Sequence, residues 1–128
     1  MIDVATLTGA VGVALGNCTT GVVANHDRWM EQVEQAALKA GEWIWRFPNH
    51  QPYLDLVKSS DVADLNNAPG RAAGSITAGL FLGEFAEETP WVHLDIAGTA
   101  LQHKASSLGP AGGTGVMVRT LAHLIVNK

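Results

Sequence analysis

The residues able to do chemistry are few and scattered. The chain has five histidines, at positions 26, 50, 93, 103 and 123, and twelve acidic residues. No two histidines stand four apart on a helical pattern, and no HExxH metal motif occurs. His93 and Asp95 are the one close pair of potential metal ligands. One histidine and one carboxylate do not close a zinc site, which takes at least three protein ligands. The pair reads instead as hydrogen-bonded polar groups that need partners. Nucleophile chemistry is equally poorly supplied. Ser75 lies in no GxSxG elbow, and Ser59, Ser60, Ser106 and Ser107 sit in loop-like surroundings. Cys18 has no adjacent histidine and reads as a buried, inert thiol. The glycine-bearing segment 69–74 around Arg71 precedes a helix, where anions are favoured. It lacks the Gly-Lys-Ser/Thr ending of a phosphate loop, so a tight helix entrance is the plainer reading.

Two stretches position what chemistry there is. In 91–100, Val92, Leu94 and Ile96 alternate with His93 and Asp95, the period of a strand with one apolar face. That strand, placed at 93–96, breaks at Ala97-Gly98, where glycine permits positive φ or close backbone approach. Residues 2–7 repeat the pattern and break at Thr8-Gly9. In an open α/β sheet ligands sit at the carboxyl ends of strands. Two such ends side by side make a shallow pocket floored by backbone.

The remaining chain alternates helices and strands. Thr8 caps a short helix over 9–15 that ends at Gly16. A β-branched run at 20–24 reads as a strand. A helix capped by Asp27 runs to Gly41, with Trp29, Met30, Val33, Ala36, Ala37 and Ala40 as its stripe. Residues 42–48 form a short strand or an extended link, and 51–59 a short helix. An amphipathic helix is expected over 75–88 with Ile76, Leu80, Phe81 and Phe85 inward. A loop follows the second motif strand at 102–113. The last helix, 115–126, carries Val116, Val118, Leu121, Leu124 and Ile125. The pattern is α/β: one domain with a partial mixed sheet flanked by helices.

Composition narrows the class. The chain of 128 residues is 47% hydrophobic and 16% charged, which points to surface hidden against another domain or subunit. A net charge of −4 without Lys/Arg clusters argues against nucleic acid. No apolar run reaches membrane-spanning length, and no signal segment opens the chain. A single cysteine fits a reducing, cytoplasmic setting. The chain begins directly on a core-type strand, as expected of a piece of a longer protein.

Seven segments occur in one order: IDVATLTGA (2–10), ALG (14–16), WRFP (45–48), ADLNN (63–67), AGSITAGLFL (73–82), WVHLDIAGTA (91–100) and GTGVMVRTL (113–121). Together they resemble the leucyl aminopeptidase (cytosol aminopeptidase) family, and the whole chain resembles the C-terminal part of its catalytic domain. The resemblance implies a zinc-exopeptidase-like fold cut at its N-terminal side. It also implies a metallo-exopeptidase of the cytoplasm, usually a hexamer, that releases leucine-like N-terminal residues from peptides with two divalent ions, Mn or Zn. The family's metal ligands lie in an Asn-Thr-Asp-Ala-Glu-Gly-Arg motif and a lysine segment, neither of which occurs here. No catalytic or metal-ligating residue therefore carries over, and residues 1–128 alone are expected to be inactive. What carries over is the substrate pocket: Thr6, Leu7 and Gly9, with Ala97 and Ala100. The Leu7 carbonyl would accept from the substrate's amino group. The family often has a larger residue where Ala100 stands, which implies a roomier pocket. The alternative is a non-catalytic fragment or pseudo-enzyme that serves only as an association module.

Overall fold

The computed structural model describes residues 1–126. Four strands form one mixed sheet in the order β1-β4-β2-β3, comprising β1 (Ile2–Ala5), β2 (Thr19–Ala24), β3 (Trp43–Arg46) and β4 (Val92–Asp95). β1 and β4 are parallel, with Ile2 opposite Val92 and Ala5 opposite Asp95. β2 runs antiparallel to β4 and parallel to β3. The expected class, a mixed sheet flanked by helices, is the one found.

The alternation along β4 sorts the two layers. Val92 and Leu94 point into one core with Val22, Ala24, Met30, Val33 and Met117. That layer is covered by α2 (Asp27–Ala40) and α5 (Val118–Val126). The opposite face carries Val23 and Trp91, packed with Ala86, Phe47 and Leu80. It is covered by α1 (Gly9–Leu15) and α4 (Gly74–Gly83). On this side glycine sets the spacing. A Cβ at Gly79 would stand 2.5 Å from Val23 Cγ2, so α4 sits directly on β2. Leu94 and Val92 are fully buried, and each such side chain contributes roughly 1.5–3 kcal/mol by leaving water.

Several local expectations are corrected. β1 stops at Ala5 rather than at residue 7, because the Leu7 and Thr8 amides are taken by the Asp95 carboxylate, not by a neighbouring strand. α1 is capped by Thr8, whose hydroxyl accepts from Val11 N at 3.1 Å, as its sequence suggests. α2 is capped by His26, whose Nδ1 accepts from Trp29 N. Asp27 is instead the first helical residue and pairs with Arg46 at 2.7 Å. The 42–48 segment resolves as a strand, paired with β2, and α3 (Gln51–Val57) follows it. α4 ends at Gly83, short of 88, and turns follow through Glu87 at φ 49°. Its inner face is Ser75, Ile76, Thr77 and Gly79, while Phe85 stays exposed. The presumed 102–113 loop is a small hairpin of β5 (Leu101–Gln102) and β6 (Gly112–Gly113). α5 begins at Val118 because Gly115 and Met117 both hold positive φ. Its Val118 and Ile125 face outward, whereas Met117 and Thr120 are buried. Cys18 is exposed, not buried.

Candidate functional site

Parallel pairing brings the carboxyl ends of β1 and β4 together, and one buried carboxylate joins the turns that leave them. Asp95 Oδ1 accepts from Leu7 N at 3.1 Å, Thr8 N at 3.4 Å and Ala97 N at 3.2 Å. Asp95 Oδ2 accepts from the Thr8 hydroxyl at 2.6 Å. Thr8 Oγ1 lies 3.1 Å from Ser75 Oγ, which extends the network to the first turn of α4. Asp95 is 2% exposed, so each of these charge-assisted bonds acts away from water.

Gly98 fixes the same junction from the backbone side. Its φ is not in the left-handed region, so the requirement is for space. A Cβ there would meet Gly16 O at 2.4 Å and Gly12 Cα at 3.4 Å. The turn after β4 therefore lies directly against the C-terminal end of α1.

Beside this junction opens a cleft of about 880 Å³, lined among others by Leu7, Gly9, Val13, Phe47, Arg71 and Ser75. Of the pocket residues expected from the sequence, two border this cleft. Leu7 and Gly9 line the cleft. Thr6 is exposed at the end of β1, adjoining Leu7. Ala97 is tied to the Leu7 turn through Asp95, but neither it nor Ala100 lines the cleft. Ala100 is half-buried, donates to Ile96 O at 2.8 Å and accepts from Thr114 N at 2.9 Å. It stands where β4's turn passes into the hairpin. The sequence marked Asp95 as a polar group in need of partners, yet gave it no place in the site. Phe47 and Ser75 were also missed. Arg71 lines the cleft, and the chain around it enters α4 through Ala73 at φ 54°.

Two further polar clusters stand apart from the cleft. Asp3 Oδ1 accepts from His93 Nδ1 at 2.5 Å, and its Oδ2 accepts from Trp91 Nε1 at 2.6 Å. Trp91 and His93 stack, with ring centroids 6.2 Å apart. Glu42 is buried and accepts from Met117 N, Thr120 N and the Thr120 hydroxyl at 2.7–3.0 Å. It stands at the start of α5 and borders a second cavity of about 530 Å³.

These contacts bear on metal binding. Among the described residues, no three His, Cys, Asp or Glu side chains converge on a metal-sized site. The oxygens of Asp3, Asp95 and Glu42 are each engaged by donors of the chain itself. The donor set present here does not fit a divalent metal pair.

Comparison with known proteins adds a family. Residues 1–122 match the model of the cytosol aminopeptidase family, catalytic domain. The chain is 61% identical over 125 residues to a probable cytosol aminopeptidase of Bacillus licheniformis and 59% identical over 124 residues to that of Bacillus subtilis. These matches take in 98% and 97% of this chain. The chain spans about a quarter of the length of these curated relatives, 25% in each case. Among solved structures, a tomato leucine aminopeptidase variant superposes with a TM-score of 0.90 at 37% identity, covering 99% of this chain and 24% of that one. The bottromycin maturation enzyme BotP, also solved in complex with Mn, superposes with a TM-score of 0.90 at 40% identity. That match covers 97% of this chain and 28% of BotP.

Proposed function

The chain belongs to the cytosol aminopeptidase family, and from that premise we propose that it is the C-terminal portion of the catalytic domain and supplies the pocket wall for the substrate's N-terminal residue. The activity served is the release of leucine-like N-terminal residues from peptides. The observation that carries this reading is the junction of β1 and β4. Their two turns are tied by one carboxylate and open beside a cleft lined by Leu7 and Gly9. Small side chains and open backbone suit an apolar side chain with a polar amino end. Thr6, Leu7 and Gly9 form one wall, with Ala97 and Ala100 on the neighbouring turn. The Leu7 carbonyl accepts from the substrate's amino group.

The two divalent ions of such an enzyme are held by residues other than these, because among the described residues no three His, Cys, Asp or Glu side chains converge. What this chain does is bind and orient. The complete enzyme is proposed to be a hexamer of the cytoplasm. In keeping with that, no described helix is long and apolar enough to cross a membrane.

A second reading has its own support. Trp43, Trp45, Val118 and Ile125 are all more than 60% exposed. An association module without catalysis would present such a surface.

The experiment is an aminopeptidase assay on leucine p-nitroanilide with added Mn²⁺, Zn²⁺ or Co²⁺. The 128-residue chain is expected to give no turnover, since binding without an activated water lowers no barrier. Joined behind the preceding part of the Bacillus subtilis relative, it is expected to be active. Metal-dependent turnover by the chain alone, lost in Asp95→Asn, would sink the pocket-wall reading.

A further inference from the structure

We infer that Asp95 is a positioning residue that aims the Leu7 carbonyl at the substrate's amino group. The inference rests on the pocket reading above and adds to it a residue that never touches substrate. The Leu7 carbonyl and the Thr8 N–H belong to one planar peptide unit. In a trans peptide the two point in opposite directions. Among the described residues every peptide bond is trans. The Thr8 N–H points at Asp95 Oδ1, 3.4 Å away, inside the fold. The Leu7 carbonyl therefore points away from Asp95, and Leu7 is one of the residues that border the cleft.

The neighbouring peptide is held the same way. Leu7 N donates to the same oxygen at 3.1 Å, so the Thr6 carbonyl also faces away from the carboxylate. A negative charge at the N–H end of a peptide polarises it and strengthens its oxygen as an acceptor. Asp95 thus sets both the direction and the acceptor strength of the group that receives an ammonium. It does so without contributing its own charge to the cleft surface.

The hydroxyl chain fixes the carboxylate in turn. Thr8 has one hydroxyl proton, and at 2.6 Å that proton goes to Asp95 Oδ2. Ser75 must then be the donor in its 3.1 Å contact with Thr8. The order is Ser75 to Thr8 to Asp95, and it pins α4 and the Leu7 turn to one carboxylate. Ala97 N completes the clamp at 3.2 Å, so the two turns cannot separate without breaking it.

The test uses the isotope-labelled chain and two small probes, L-leucinamide and N-acetyl-L-leucinamide. The first carries an ammonium and the second does not. Amide shifts of Leu7, Gly9 and Ala97 report binding, and hydrogen exchange reports the clamp. The wild-type chain is expected to favour leucinamide. Asp95→Asn keeps the shape, removes the charge and is expected to lose about tenfold of that preference. Its Leu7, Thr8 and Ala97 amides should exchange faster, while Ile96 N, bonded to Ala5 O in the sheet, should not change. An unchanged preference in Asp95→Asn overturns the inference and leaves the pocket reading standing. A wild-type chain that binds neither probe at Leu7 and Gly9 overturns the pocket reading and this inference with it. Uniformly faster exchange would make Asp95 a general stabiliser and also overturn it. Should Asp95→Asn not fold, Thr8→Val removes the donor to Oδ2, together with the α1 cap on Val11 N and the Ser75 contact, and leaves the Leu7 N and Thr8 N bonds to Oδ1. Loss of preference there, restored in Thr8→Ser, supports the inference, and no loss refutes it.

Discussion

Gly98→Ala is the sharpest test of how the site is built. The added Cβ would lie 2.4 Å from Gly16 O and 3.4 Å from Gly12 Cα. A carbon and a carbonyl oxygen need roughly 3.2 Å or more, so one backbone must retreat by close to an ångström. Neither is free to do so. Gly16 N is bonded to Gly12 O at 3.0 Å, and Gly16 has φ 71° as the C-cap of α1. On the other side Thr99 N and Ala100 N both bond Ile96 O, and Ala97 N is held by Asp95. Overpacking of this kind costs about 1–3 kcal/mol, and backbone obstruction belongs at the upper end. The opposing term is the reduced freedom of the unfolded chain when glycine becomes alanine, about 0.4–1 kcal/mol. The clash therefore wins, by roughly 2 kcal/mol. Urea unfolding followed by tryptophan fluorescence measures it. Gly113→Ala is the control, since a Cβ there meets nothing within 4 Å and its φ is unremarkable. Stability in Gly98→Ala equal to that of the wild type and the control would refute the close approach of the two turns.

In the joined, active enzyme, Ala100→Leu is expected to lower kcat/KM for leucyl more than for alanyl substrates, by about 1–3 kcal/mol of discrimination; equal losses would remove Ala100 from the pocket. Glu42→Ala strips the acceptor from Met117 N, Thr120 N and the Thr120 hydroxyl, so unfolding free energy should fall by about 2–4 kcal/mol, with the α5 amides exchanging first; protection unchanged at Thr120 would contradict this. The chain is expected to associate through its exposed Trp43, Trp45, Val118 and Ile125, and light scattering that returns a clean monomer at ~100 μM with no dye-binding patch would argue otherwise.

The two strands that build the site were legible for a physical reason. In β4 a period-two alternation is cheap to read, because each residue commits to one face. Val92 and Leu94 went to the core under α2, and His93 and Asp95 to the other face, as the pattern required. The short run before Thr8-Gly9 followed only in part: Ile2 packs against the same core, while Val4 is exposed and the strand stops at Ala5. What the pattern withholds is which polar partner arrives. His93 meets Asp3 across 90 positions, and Glu42 meets Thr120 across 78. No local spacing carries that information. The helix ends failed for a related reason. α4 gives way to turns after Gly83, with Glu87 at positive φ within them, and α5 starts late, after Met117 at positive φ; neither Glu87 nor Met117 is glycine. At Met117 the amide is held by Glu42 Oε1, a partner 75 positions away in the chain. The choice of cap at α2 also followed distant structure, since Asp27 is drawn off by Arg46 on β3. The resemblance names Thr6, Leu7, Gly9, Ala97 and Ala100 as an expected pocket, which periodicity alone does not, and it carries no reason for the geometry of the two turns. At the turns that reason is Asp95, which the alternation marks as polar and in need of partners and which accepts four hydrogen bonds at the end of its strand.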